Sequence, residues 1–162
     1  MKSNRLTHWL IASGCLFLAA CNFEVPIMAG PTRPVEKQLL GDWVAVDKES
    51  SKPDQMKVRQ LDEFTYVITY NGDLYRGFHT DFAGQPFVSV QDLDSSGRKY
   101  VYFTWRLSAD GAVLSLQSVS TRVIPEKTPD SAAIQRLIHE NLANPGLLGE
   151  TVQFTRKPSK AP

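Results

Sequence analysis

Few side chains in this 162-residue sequence have the type and spacing to do chemistry. Its thiols are Cys15 and Cys21, and its imidazoles are His8, His79 and His139. Neither later histidine has ligand-like spacing to the other or to a pair of carboxylates, so no metal centre is expected. His139 has Glu140 beside it, but adjacent positions on a helix point apart. There is no Gly-x-Ser-x-Gly elbow and no glycine loop able to cradle a phosphate. Isolated aspartates mostly fall in turn-like stretches. The sequence therefore predicts a protein that is not an enzyme and carries no catalytic residue.

Binding residues are easier to name. In the stretch Leu74, Tyr75, Arg76, Gly77, Phe78, His79, alternation leaves two registers open. If Leu74 and Phe78 face inward, Arg76 does too, and a buried guanidinium needs an anionic partner such as a ligand carboxylate or phosphate. In the other register Tyr75 and His79 face inward and Arg76 meets water. A second stretch, residues 99–107, puts Val101, Phe103, Trp105 and Leu107 on one face, and Tyr100, Tyr102, Thr104 and Arg106 on the other. Tyr100, Tyr102 and Arg106 form a combination enriched in protein interfaces. They are expected either to dock a partner or to be covered by the chain's own helix.

Cys21 ends a segment with its own pattern. Lys2 and Arg5 make a basic start, residues 9–20 are apolar and uncharged, and small residues precede the thiol. That is the layout of a cleavable secretory signal. A run of about a dozen apolar residues is short of the roughly 20 that span a bilayer. Leu18-Ala19-Ala20-Cys21 resembles the lipobox of bacterial lipoproteins. That resemblance implies removal of residues 1–20 and acylation of Cys21, with no cofactor beyond this covalent lipid. Each buried methylene adds about 0.8 kcal/mol, so two or more chains hold a domain on a membrane. The resemblance also implies an address. Asn22 and Phe23 follow the cysteine instead of an aspartate, so in a diderm host the protein belongs on the outer membrane facing the periplasm, and otherwise on the exterior of the cell membrane.

Loss of residues 1–20 removes two of 18 basic residues and none of 17 acidic ones, leaving a formal charge of −1. Such a balance argues against a nucleic-acid partner. It also removes Cys15, and with Cys21 lipidated no disulfide is available, so packing alone must stabilise the domain.

The elements that must position these residues are mostly strands. Residues 22–35 hold Pro26, Pro31, Pro34 and Gly30 without apolar periodicity, which predicts a lipidated tether over 21–35. The domain is expected over 36–157, with a polar loop at 47–54 and a disordered tail at 158–162. Strands are predicted at 42–46, 58–61, 64–70, 74–81, 86–91, 99–107, 112–119 and 151–156, joined by turns such as Asn71-Gly72. One amphipathic helix is predicted within 130–144, with Ile134, Leu137, Ile138 and Leu142 on one face, Thr128 as cap and Pro129 at the first position. The fold class is mainly β, an antiparallel up-and-down barrel of about eight strands with one helix before the last.

Gly41-Asp42-Trp43 at the head of the first strand resembles the Gly-x-Trp signature of lipocalins and their relatives. In that family the tryptophan closes the barrel floor beneath a basic residue of the last strand, a position that Arg156 matches here. A guanidinium over an indole contributes about 0.5–1 kcal/mol or more. The resemblance implies a barrel interior in which Trp43, Arg76, His79, Trp105 and Arg156 are candidate ligand-binding residues. Two functions follow as expectations. One is a lipid-anchored, non-catalytic protein holding a small apolar or amphipathic ligand in a cavity of several hundred cubic ångströms. The other is a structural or interaction lipoprotein with a filled barrel that docks an envelope protein.

Overall fold

The computed structural model describes residues 23–46 and 52–158. The expected signal segment, Cys21, residues 47–51 and residues 159–162 lie outside the described residues. Alternation of apolar and polar side chains builds eight strands: β1 (Gly41–Ala45), β2 (Gln55–Gln60), β3 (Thr65–Tyr70), β4 (Asp73–His79), β5 (Phe87–Asp92), β6 (Tyr100–Leu107), β7 (Val113–Ser118) and β8 (Val152–Arg156). Each pairs antiparallel with the next, and β8 returns to β1 through Trp43↔Arg156, Val44↔Thr155 and Ala45↔Phe154, closing the barrel. The single helix α1 (Ser131–Glu140) precedes β8. Between β3 and β4, Asn71 (φ 52°) and Gly72 (φ 111°) make the two-residue turn whose positive φ values match strand twist.

The topology gives the barrel two unlike ends. The connections 46–54, 71–72 and 93–99 lie at one, called here the rim; the turns 61–64, 80–86 and 108–112 lie at the other, the floor; the long connection 119–151 leaves β7 and enters β8 on the rim side but packs its helix on the outer wall. β2 begins at Gln55, three residues before the sequence pattern predicts, because Gln55 and Met56 pair with Val44 and Trp43. The helix ends at Glu140 and is capped by Asp130, whose carboxylate accepts from Ala133 N–H at 2.8 Å. Thr128, expected as the cap, instead donates to the Pro125 carbonyl at 2.6 Å.

Apolar side chains form two clusters. Inside the barrel, Trp43, Met56, Ile68, Tyr75, Phe103 and Phe154 are representative of the packed core. Outside it, Phe78, Phe87, Tyr100 and Tyr102 on the walls of β4, β5 and β6 are covered by Ile134 and Ile138 of α1 and by Phe23 and Ile27. Residues 23–35 are therefore not a solvated tether but a strap laid along the barrel. The Phe23 and Tyr100 backbones exchange hydrogen bonds at 3.1 and 2.7 Å. The Phe23 ring stacks on Tyr102 at 4.3 Å. The strap then descends from rim to floor, where Thr32 N–H donates to the His79 carbonyl at 2.9 Å and Val35 N–H to Glu63 at 2.9 Å. Helix α1 holds it from outside, with Ser131 Oγ donating to the Pro26 carbonyl at 2.7 Å and Gln135 Nε2 to Ile27 at 2.8 Å.

Candidate functional site

The floor is built from the two ends of the barrel chain. Trp43 faces inward, fully buried, and its indole N–H donates to the Leu39 carbonyl at 3.0 Å, fixing a 3-10 turn over Lys37–Leu39 across the opening. The Arg156 guanidinium lies 4.2 Å from the Trp43 ring and donates to three carbonyls, those of Leu40 (2.7 Å), Gln38 (2.5 Å) and Gly111 (3.1 Å). Gly41 has φ +150°, and a Cβ there would stand 2.6 Å from Arg156 Nη1. The glycine of Gly-x-Trp thus makes room for the arginine that covers the tryptophan. Trp43 and Arg156 are saturated by one another and by the backbone, and they close the barrel.

Beside them, at the same end, four residues that sequence reasoning missed gather around His79. Tyr66 Oη accepts from Glu36 N–H at 2.6 Å and shares a 2.7 Å bond with His79 Nε2. With the hydroxyl proton directed at Nε2, the imidazole proton is assigned to Nδ1, which lies 3.7 Å from Asp81 Oδ1. Arg33 Nε binds Asp81 Oδ2 at 2.6 Å, and its guanidinium sits 5.6 Å from the Trp105 ring. Burial, reinforced by Arg33 and opposed by Asp81 and Glu36, pushes His79 down to about 4, so the imidazole is neutral. Burial pushes Tyr66 up to about 12. His79 Nδ1, Asp81 Oδ1 and Trp105 Nε1 are buried without a hydrogen-bond partner among the protein atoms. Two N–H donors and one carboxylate acceptor are thus left over in this cluster.

The interior proper contains a cavity of about 60 Å³, lined by Leu39, Met56, Tyr75, Val90, Phe103 and Trp105 among others, with no charged side chain. Sites for drug-sized ligands measure about 300–1,000 Å³. Of the five residues expected to bind a ligand, Trp105 alone lines this space. Arg76 is a correction: Tyr75, Gly77 and His79 take the inward positions, and Arg76 is exposed, donating to Gln91 Oε1 at 2.9 Å. A guanidinium inside would have had no counter-ion among the apolar walls.

The expected partner surface is also divided. Tyr102 is fully buried and Tyr100 nearly so, under the strap and α1; burial raises the Tyr102 phenol, whose hydroxyl donates to the Val25 carbonyl. Arg106 is exposed and lines a shallow outer groove of about 340 Å³ with Thr104, Ser115 and Gln117. A neighbouring hollow of about 350 Å³ shares Gln85, Thr104, Gln117 and Leu148 with it. Comparisons of the chain return no family model, no curated relative and no solved structure.

Among the described residues, no group of three or more His, Cys, Asp or Glu side chains could hold a metal ion. No described helix is long and apolar enough to cross a membrane. The missed residues explain themselves physically. Arg33 and Glu36 sit in a Pro-rich stretch, and nothing local in the sequence shows that it folds under the barrel against Tyr66 and Asp81.

Proposed function

We propose that this chain is a non-catalytic lipoprotein of the cell envelope, anchored through Cys21, whose lipocalin-like barrel is a filled scaffold that presents its outer surface to a protein partner. One observation carries the choice of a filled scaffold over a ligand carrier: the interior space of about 60 Å³. A benzene-binding cavity of known type measures about 150 Å³, so an acyl chain or ring system does not fit without repacking. The Trp43–Arg156 lock and the 3-10 turn support a permanently closed floor. The set Tyr66–His79–Asp81 has the look of a relay, but its hydroxyl is bonded on both sides and its imidazole is fully buried. Neither group meets a substrate there, which supports the non-catalytic reading. The anchor reading rests on the basic start, the apolar run and Leu18-Ala19-Ala20-Cys21.

The outer membrane, facing the periplasm, is the address in a diderm host. The groove around the exposed Arg106, with half-buried Ser115 and Gln117 beside it, is the part of the β6–β7 wall offered to a partner. The second reading, a small apolar ligand inside the barrel, is favoured by the uncharged lining of the cavity. Native mass spectrometry of the purified protein separates the two. The filled scaffold predicts a mass with no retained small molecule across preparations; a copurified apolar compound of a few hundred daltons overturns it.

A further inference from the structure

The strap changes what an anchor at Cys21 does to the barrel. Cys21 is two residues before Phe23, and two residues of chain reach no more than about 7 Å. Phe23 is not free to move away: its backbone is paired with Tyr100 in both directions and its ring is stacked on Tyr102. Pro26 and Ile27 are tied to α1, and Ile27 N–H donates to Ser89 Oγ at 3.3 Å. The leash therefore leaves the barrel at one fixed point, at the rim end of β6.

From this we infer that the membrane-facing surface of the protein is the rim end around the 93–99 turn and the start of β6, resting on the lipid headgroups, with the floor turned away from the bilayer. The inference rests on the acylation of Cys21 proposed above. Exposed apolar side chains do not choose the end by themselves, since Val46 and Leu74 lie at the rim while Leu61 and Phe64 lie at the floor. The length of the leash does choose it. β6 runs from rim to floor over Tyr100–Leu107, about 25 Å of strand at 3.3 Å per residue, so a 7 Å leash attached at Tyr100 cannot bring the floor to the membrane and leave the rim in solution. A solvated tether of 15 residues would have fixed no orientation, because its end-to-end distance would be about 20 Å.

Two exposed turn positions flank β6, Ser96 on the rim side and Ala109 on the floor side. Full-length Ser96→Cys and Ala109→Cys, each labelled with a small fluorophore on the introduced thiol, would be reconstituted into phosphatidylethanolamine/phosphatidylglycerol vesicles containing a headgroup nitroxide lipid. Quenching is expected to be at least twofold stronger at position 96. Equal quenching, or stronger quenching at position 109, overturns the orientation. Inserting about ten Gly/Ser residues between Asn22 and Phe23 is expected to abolish the difference; a difference that survives overturns the leash as its cause. Cys21→Ala is expected to leave the membrane fraction. If it stays, the anchor reading falls and this surface with it, whereas membrane-bound protein with equal quenching removes the orientation alone.

Discussion

His79 shows how a single side chain records its surroundings. It is fully buried, hydrogen-bonded through Nε2 to Tyr66, and held down at about 4 against an ordinary value of 6.5. The unfolded chain takes up a proton on this residue as pH falls through 6.5, and the folded chain does not until about 4. Stability is therefore fully present above pH 6.5 and is lost on acidification toward 4. Between pH 7.5 and 5 the linkage amounts to about 2 kcal/mol. His79→Gln keeps a partner for the Tyr66 hydroxyl and does not titrate, so urea midpoints of this variant should fall less over that interval than those of the parent. Equal losses would mean that His79 is protonated in the folded protein. The floor residues Trp43 and Arg156 were legible in the sequence as a pair, because Gly-x-Trp and a basic residue in the last strand mark both ends of the barrel chain. His79 was legible only as one of two registers, since nothing in residues 74–79 says which alternate set faces in.

At the scale of elements, the strands and α1 were legible and the strap was not. Strand periodicity is local: each of Tyr66, Ile68 and Tyr70 is two residues from the next and all face the core. The strap has no period. Its buried side chains, Phe23, Ile27 and Val35, are isolated among prolines, and its polar bonds join it to partners as far as 108 residues away. Proline removes backbone donors and suits an extended chain, which is compatible with a solvated tether and equally with a strand-like cover bonded through carbonyls. The deciding fact is the second apolar face of β4–β6, which α1 and the strap cover together. Phe23→Ala removes the ring stacked on Tyr102 and should cost about 3 kcal/mol. Limited proteolysis should then cut within residues 24–35 of the variant at protease levels that leave the parent whole. An intact strap in the variant would mean that Phe23 is peripheral.

For the whole molecule, the design is a closed cylinder with both faces of its busiest wall buried. The interior cluster fills the barrel, and the outer cluster fastens the strap and helix to it. Two apolar clusters share the β4–β6 wall and hold the domain together by packing. The eight-stranded barrel with a helix before its last strand follows the sequence reading closely. Whether the barrel is hollow could not be read there, because an alternating pattern marks inward positions without saying how completely their side chains meet across the axis.

A filled interior excludes an apolar fluorescent probe, and this test does not rely on a ligand surviving purification. N-phenyl-1-naphthylamine should show no saturable binding to the parent protein. It should bind to a Tyr75→Ala or Phe103→Ala variant, in which a large side chain lining the cavity is removed. Saturable binding to the parent, displaced by a fatty acid, would contradict the filled scaffold and restore the ligand carrier.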